Sequence, residues 1–168
     1  TTTFAYDRLD RVVKVTDAEG YYEQYILDAF GDRVAVQNKL GGVTTNGFDN
    51  RGLLTSETLP MVSTNPDGTV EATNVTNTFQ YDTFGNRTQM VEASGLSEQR
   101  TTTYVYDKLD RLTETDHDTV STIADDLQTT SNVTPAEFVV YDAFGNVIET
   151  TDAAGAHTFF YYDGLGRK

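Results

Sequence analysis

The heptapeptide Tyr81-Asp82-Thr83-Phe84-Gly85-Asn86-Arg87 decides the fold. Asp at the first position of a type I turn accepts a backbone N–H two residues on. Gly at the fourth position supplies the left-handed conformation that closes a three-residue hairpin with a bulge. The segment therefore reads as a strand that ends in Tyr81, reverses at Asp82–Gly85, and continues as a second strand.

The same pattern recurs along the whole chain. It is Tyr6-Asp7-Arg8-Leu9-Asp10, Leu27-Asp28-Ala29-Phe30-Gly31 and Phe48-Asp49-Asn50-Arg51-Gly52 before this copy. After it come Tyr106-Asp107-Lys108-Leu109-Asp110, Tyr141-Asp142-Ala143-Phe144-Gly145 and Tyr162-Asp163-Gly164-Leu165-Gly166. The Asp residues are spaced by 21, 21, 33, 25, 35 and 21 positions, a basal period of 21 with insertions near 59–72, 96–104 and 116–134. A repeat at a fixed period is the signature of an array and is to be sought before anything else. Residues 1–168 thus read as one array of about seven repeats. Asp10 and Asp110 stand where the other copies have Gly, and Asp visits the left-handed region at modest cost.

A second turn lies inside the period, at Asp17-Ala18-Glu19-Gly20, Asn38-Lys39-Leu40-Gly41, Glu92-Ala93-Ser94-Gly95 and Asp152-Ala153-Ala154-Gly155. The chain reverses every ten or eleven residues. Two repeats lack this second turn and carry the large insertions there, which is what an exposed hairpin tip tolerates. Between turns, side chains alternate: Tyr21, Glu23, Tyr25 and Leu27 share one strand face, Tyr22, Gln24 and Ile26 the other. The expectation is an all-β chain of repeated antiparallel hairpins forming a curved or spiralling strip of a dozen strands or more.

Composition narrows the function. The chain has 168 residues and a net charge of −14. Neutralising phosphates or an anionic bilayer needs a basic face, so nucleic acid and membrane partners are not expected. Cysteine is absent, which removes disulfides, thiol catalysis and Cys-based zinc sites. No apolar run approaches the ~18 residues of a membrane span. The opening Thr1-Thr2-Thr3, with neither Met nor a signal-peptide pattern, reads as an internal piece of a longer protein.

The repeated Tyr-Asp-x-x-Gly-Arg-like segment, clearest at Tyr81–Arg87 and Tyr162–Arg167, resembles the YD repeat of the Rhs family. That family includes bacterial Rhs and wall-associated toxins, the B and C components of insecticidal Tc toxins, and the teneurins. The resemblance implies a β-ribbon wound into a hollow shell that, in bacterial members, encloses a C-terminal toxin or passenger domain. It implies a secreted or cell-surface protein whose partners are the neighbouring repeats and that passenger. The family's Asp-Pro-x-Gly-type core with self-cleaving Asp residues has no counterpart, since Pro66-Asp67-Gly68 reads as a turn. The scaffold role carries over and autoproteolysis does not, so no enzyme activity, catalytic residue or cofactor is expected.

Each polar or aromatic set has two readings. Asp7, Asp28, Asp49, Asp82, Asp107, Asp142 and Asp163, with Gly31, Gly52, Gly85, Gly145 and Gly166, are turn residues rather than a calcium ladder, because every Asp stands where a type I turn wants it. Arg11, Arg33, Arg87, Arg111 and Arg167 follow the turns and suit stacking on Tyr or pairing with Asp of the neighbouring repeat. Tyr6, Phe48, Tyr81, Tyr106, Tyr141 and Tyr162 form an aromatic ladder that packs rung on rung. Its alternative is a carbohydrate-binding or adhesion surface of exposed tyrosines. Asp116-His117-Asp118, with Asp125 and Asp126, reads as an exposed acidic loop before it reads as a metal site, and His157 falls on a strand face. Asn74, Asn86 and Asn132 open glycosylation-type triplets, which arise easily in a Thr-rich chain.

Overall fold

A computed structural model describes residues 1–64, 67–123 and 130–168. Among the described residues there are fifteen strands and no helix. They are β1 (Thr3–Tyr6), β2 (Val12–Thr16), β3 (Tyr22–Leu27), β4 (Arg33–Gln37), β5 (Val43–Phe48), β6 (Leu54–Thr64), β7 (Val70–Tyr81) and β8 (Arg87–Glu92). Then come β9 (Arg100–Tyr106), β10 (Leu112–Asp116), β11 (Val120–Ile123), β12 (Thr130–Val133), β13 (Ala136–Tyr141), β14 (Val147–Thr151) and β15 (His157–Phe159). Thirteen of them follow one another in a single sheet in chain order, with β10 beside β13, while β11 and β12 form a two-stranded sheet of their own. The sheet is antiparallel and does not close on itself, so the all-β hairpin architecture is that of the chain.

The chain divides into two compact units. The first is Thr1–Phe79 with Glu92–Glu98, and the second is Gln80–Val91 with Gln99–Lys168. In each, hairpins built on the turn copies carry a bulge on the strand that leaves the turn. In the first unit the register slips between Ala5 and Tyr6, Ile26 and Leu27, and Gly47 and Phe48; in the second, between Val140 and Tyr141. The extra residue, Val13, Val34, Thr55 or Ile148, lies on the strand leaving the turn, and such a bulge bends and twists that strand.

Both long insertions lengthen a hairpin. β6 and β7 stay in register from Ser56↔Thr78 out to Thr64↔Val70. β10 pairs with β13 up to Asp116↔Ala136, His117 N donates to Pro135 O at 2.9 Å, and the β11–β12 ribbon continues beyond. Each is an insertion between two strands that were already paired.

Little of the chain is deeply buried. Among the described residues Tyr25 is the one hydrophobic side chain in the core, at 8% exposure, and most strand residues are half-buried. Ladder hydrogen bonds and contacts between adjacent hairpins therefore carry the cohesion that a packed core supplies elsewhere.

Candidate functional site

The recurring chemistry lies in the turns. At Asp107, Oδ1 accepts the backbone N–H groups of Leu109 (2.8 Å) and Arg111 (3.1 Å), while Oδ2 accepts Arg111 Nε at 2.8 Å. Asp7 repeats this with Leu9, Arg11 and the Arg11 guanidinium, at 2.8, 3.0 and 2.7 Å. Asp163 does the same with Leu165 and Arg167. At Asp82 and Asp142 the clamp on Oδ2 is the side-chain amide of Asn86 or Asn146, at 3.0 and 2.9 Å. At Asp49 it is Arg51, from within the turn. Asp28 accepts Phe30, Gly31 and Asp32 N–H groups on Oδ1, and the residue four on is Asp32, another acid.

The fourth turn position is left-handed throughout. Gly31, Gly52, Gly85, Gly145 and Gly166 have φ of 101°, 77°, 95°, 90° and 72°, and Asp10 and Asp110 have 58° and 57°. A Cβ at Gly145 would stand 3.7 Å from Arg111 Nη1, an ordinary contact, so the backbone angle rather than space is what favours Gly there.

These clamps pull several of the turn carboxyls, those of Asp7, Asp49, Asp107, Asp142 and Asp163, below the ordinary range. At Asp107 the Arg111 side chain, with the backbone N–H groups of Arg111 and Leu109, pulls the carboxyl below its usual range. At Asp7 and Asp163 the largest cause is the backbone N–H four residues on, followed by the guanidinium there. At Asp142 it is the Asn146 amide. The second-turn Asp17 is lowered first by Lys39, whose Nζ lies 2.7 Å away in the corresponding turn of the next repeat.

Other contacts lock one repeat to the next. Arg11 Nη1 donates to Asp28 O at 3.0 Å. Asn86 Nδ2, besides holding Asp82, donates to Asp110 Oδ1 at 2.9 Å. Tyr106 Oη donates to Arg87 O at 3.1 Å and Tyr141 Oη to Leu112 O at 3.0 Å. Arg87 and Leu112 both stand five residues after the turn Asp of the preceding copy, so the two bonds are one contact repeated. Arg111 also lies over the Tyr141 ring, 4.4 Å from its centre, and Arg33 lies 4.1 Å from that of Tyr25.

The expected stacking on Tyr is seen at Arg33, Arg87 and Arg111, but the expected ion pairs are not. Arg11, Arg111 and Arg167 pair with the Asp of their own turn, not with an Asp of the neighbour. The local hairpin already brings residue four within reach of Oδ2, so no longer reach is needed. What sequence reading missed is the donor at that position: Arg or Asn occupies it in copies 1, 4, 5, 6 and 7.

Phe48, Tyr81, Tyr106, Tyr141 and Tyr162 are half-buried, and Tyr6 is 57% exposed. The turn expected at Glu92–Gly95 is of a different kind. Ala93 takes the left-handed angle (φ 49°), Leu96 N donates to Ala93 O, and Ser94 N is held by Thr76 O at 2.7 Å. Glu, one methylene longer than Asp, does not make the short Asx-type bond. The exposed acidic loop at 116–118 is also corrected. Asp116 ends β10, and all three residues are half-buried. Asp118 Oδ2 accepts Thr101 N at 2.6 Å, Asp116 Oδ2 accepts Thr103 Oγ1, and His117 Nε2 lies 3.6 Å from Glu137. Asp125 and Asp126 lie outside the described residues. Among the described residues no three His, Cys, Asp or Glu converge on a point that could hold a metal ion. His157, on β15, bonds Glu149 Oε1 through Nδ1 at 2.7 Å.

Known proteins match this arrangement. Residues 6–43 and 141–168 match the family described as RHS Repeat. No curated protein matches the chain significantly in sequence. Among solved structures, that of TcdB2-TccC3 superposes with a TM-score of 0.70 at 14% identity, over 99% of this chain and 9% of its own. TcdB2-TccC3-Cdc42 gives 0.57 at 14%, over 99% and 10%. A Photorhabdus luminescens Tc holotoxin pore with a substituted TccC3 gives 0.51 at 15%, over 94% and 9%. The chain spans about a tenth of the length of these structures. Two of its segments thus match the RHS Repeat family, and its fold is the one seen in the Tc toxin structures.

Proposed function

We propose that residues 1–168 are one array of seven repeats and a non-catalytic segment of a β-shell wall, part of a secreted or surface Rhs-type protein that encloses a C-terminal toxin or passenger domain. The observation that carries this is the superposition of 99% of the chain on a tenth of the TcdB2-TccC3 structure. Such a piece serves as wall, because its polar chemistry is spent internally: the turn carboxylates hold their own backbones and the guanidinium groups hold the carboxylates. The acidic surface keeps a long sheet soluble.

The adhesion reading fits less well. A sugar platform needs open aromatic faces, whereas Tyr141 lies under Arg111 and the hydroxyls of Tyr106 and Tyr141 are bonded to the preceding repeat. Limited proteolysis of the natural protein that carries this chain tests enclosure. A domain that survives protease until the repeats are denatured supports it, and one that is cut as fast as the same domain made alone refutes it.

A further inference from the structure

Each turn needs Asp at its first position and Gly or Asp at its fourth, but nothing in turn chemistry asks for an apolar third residue. Yet that residue is Leu9, Phe30, Phe84, Leu109, Phe144 and Leu165, with Arg51 the exception. In the second unit Phe84, Leu109, Phe144 and Leu165 are 80%, 71%, 92% and 79% exposed. Alternate hairpin connections of an antiparallel sheet fall on one rim, so these tips recur at two strand spacings, about 9.6 Å. Beside Leu109 a groove of about 500 Å³ is lined by Phe84, Tyr104, Val105, Tyr106, Lys108 and Asp110.

The charges around Leu109 select the occupant. Lys108 and Asp110 flank it, both exposed, and among the described residues Lys108 makes no ion pair although Arg11, Arg111 and Arg167 all do. Arg8, Leu9 and Asp10 repeat the trio in the first unit, again with a cation that makes no ion pair among the described residues. A cation, an apolar knob and an anion in a row are self-complementary under a two-fold axis, since each cation then meets the other copy's anion. A second strip also presents tips at the same pitch.

We propose that this rim is an interface between two copies of the repeat strip, meeting about Leu109, with Lys108 of each copy opposite Asp110 of the other and the apolar tips seated in the groove. It goes beyond the wall role and does not depend on what the wall encloses.

The absence of cysteine gives a clean test. Leu109→Cys in the full chain, mildly oxidised, is compared with Ala154→Cys at the tip of a second turn, on the opposite rim. Both residues are exposed, so neither change threatens folding. Disulfide dimers are expected at least about tenfold faster for L109C, slowed about tenfold by adding Lys108→Glu and restored by Lys108→Arg. Equal rates at the two rims would point to strand-edge association and overturn the proposal. So would a rate for L109C that Lys108→Glu leaves unchanged, or an absence of cross-linking together with monomeric sedimentation of the unmodified chain.

Discussion

The Asn86 side-chain amide donates to Asp110 Oδ1 at 2.9 Å, joining two turns 24 residues apart in the chain. The same nitrogen holds Asp82 in its own turn. Asp110 thereby gains something for its left-handed backbone that Asp10, at nearly the same φ and without such a donor, does not.

Asp10→Gly should therefore stabilise the chain by roughly 0.5 kcal/mol, because Gly adopts the angle without strain. Asp110→Gly should gain nothing net, because it forfeits the Asn86 bond. Urea melts of both variants, with Asn86→Ala alone and combined with Asp110→Gly, should show a coupling of about 0.5 kcal/mol between residues 86 and 110. Equal effects of the two Gly variants would contradict this.

Tyr106→Phe and Tyr141→Phe each remove a hydroxyl bonded to the carbonyl of the preceding repeat. Each should cost about 0.5–1.5 kcal/mol in thermal or urea unfolding. Tyr6→Phe, at an exposed position with no such bond, should stay within about 0.5 kcal/mol of the parent.

Arg111 grips Asp107 through Nε and Nη2 while its plane covers Tyr141. A lysine offers one point charge and cannot do both. Arg111→Lys should lower the melting temperature nearly as far as Arg111→Ala, with the ring contact contributing about 0.5–1 kcal/mol. A lysine variant that melts with the parent would show that only charge matters here.

Acid should loosen the strip in a defined window. The carboxyls of Asp7, Asp17, Asp107, Asp142 and Asp163 lie below their ordinary value of 3.8 in the folded chain. A depressed carboxyl stabilises the fold fully above the unfolded pKa, and the contribution fades as pH falls through the folded one. Melting temperature should fall steadily on acidification below about pH 4. Asp107→Asn should show a shallower fall than the parent; an identical slope would remove Asp107 from the set responsible.

The fold was legible because its signals are local. A turn Asp bonds residues two and four ahead, and its left-handed partner is three ahead, so a single copy displays the motif and the period displays the array. The lateral contacts were not legible, because Asn86–Asp110 and Tyr141–Leu112 join positions 24 and 29 apart that only the sheet order brings together. The arginine pairing is local, four residues from its Asp, yet the sequence shows only the charge and not that the hairpin folds it back on its own turn. Glu92 failed as a turn residue through side-chain length, which resemblance to the Asp copies concealed.

Cryo-electron microscopy of the natural protein that carries this chain shows at once whether these strands form a wall. The expected map shows residues 1–168 as consecutive strands of a continuous sheet forming the wall of a closed cavity, with density for a further domain inside it. A map in which this strip stands free with solvent on both faces, and no enclosed density, would contradict the account.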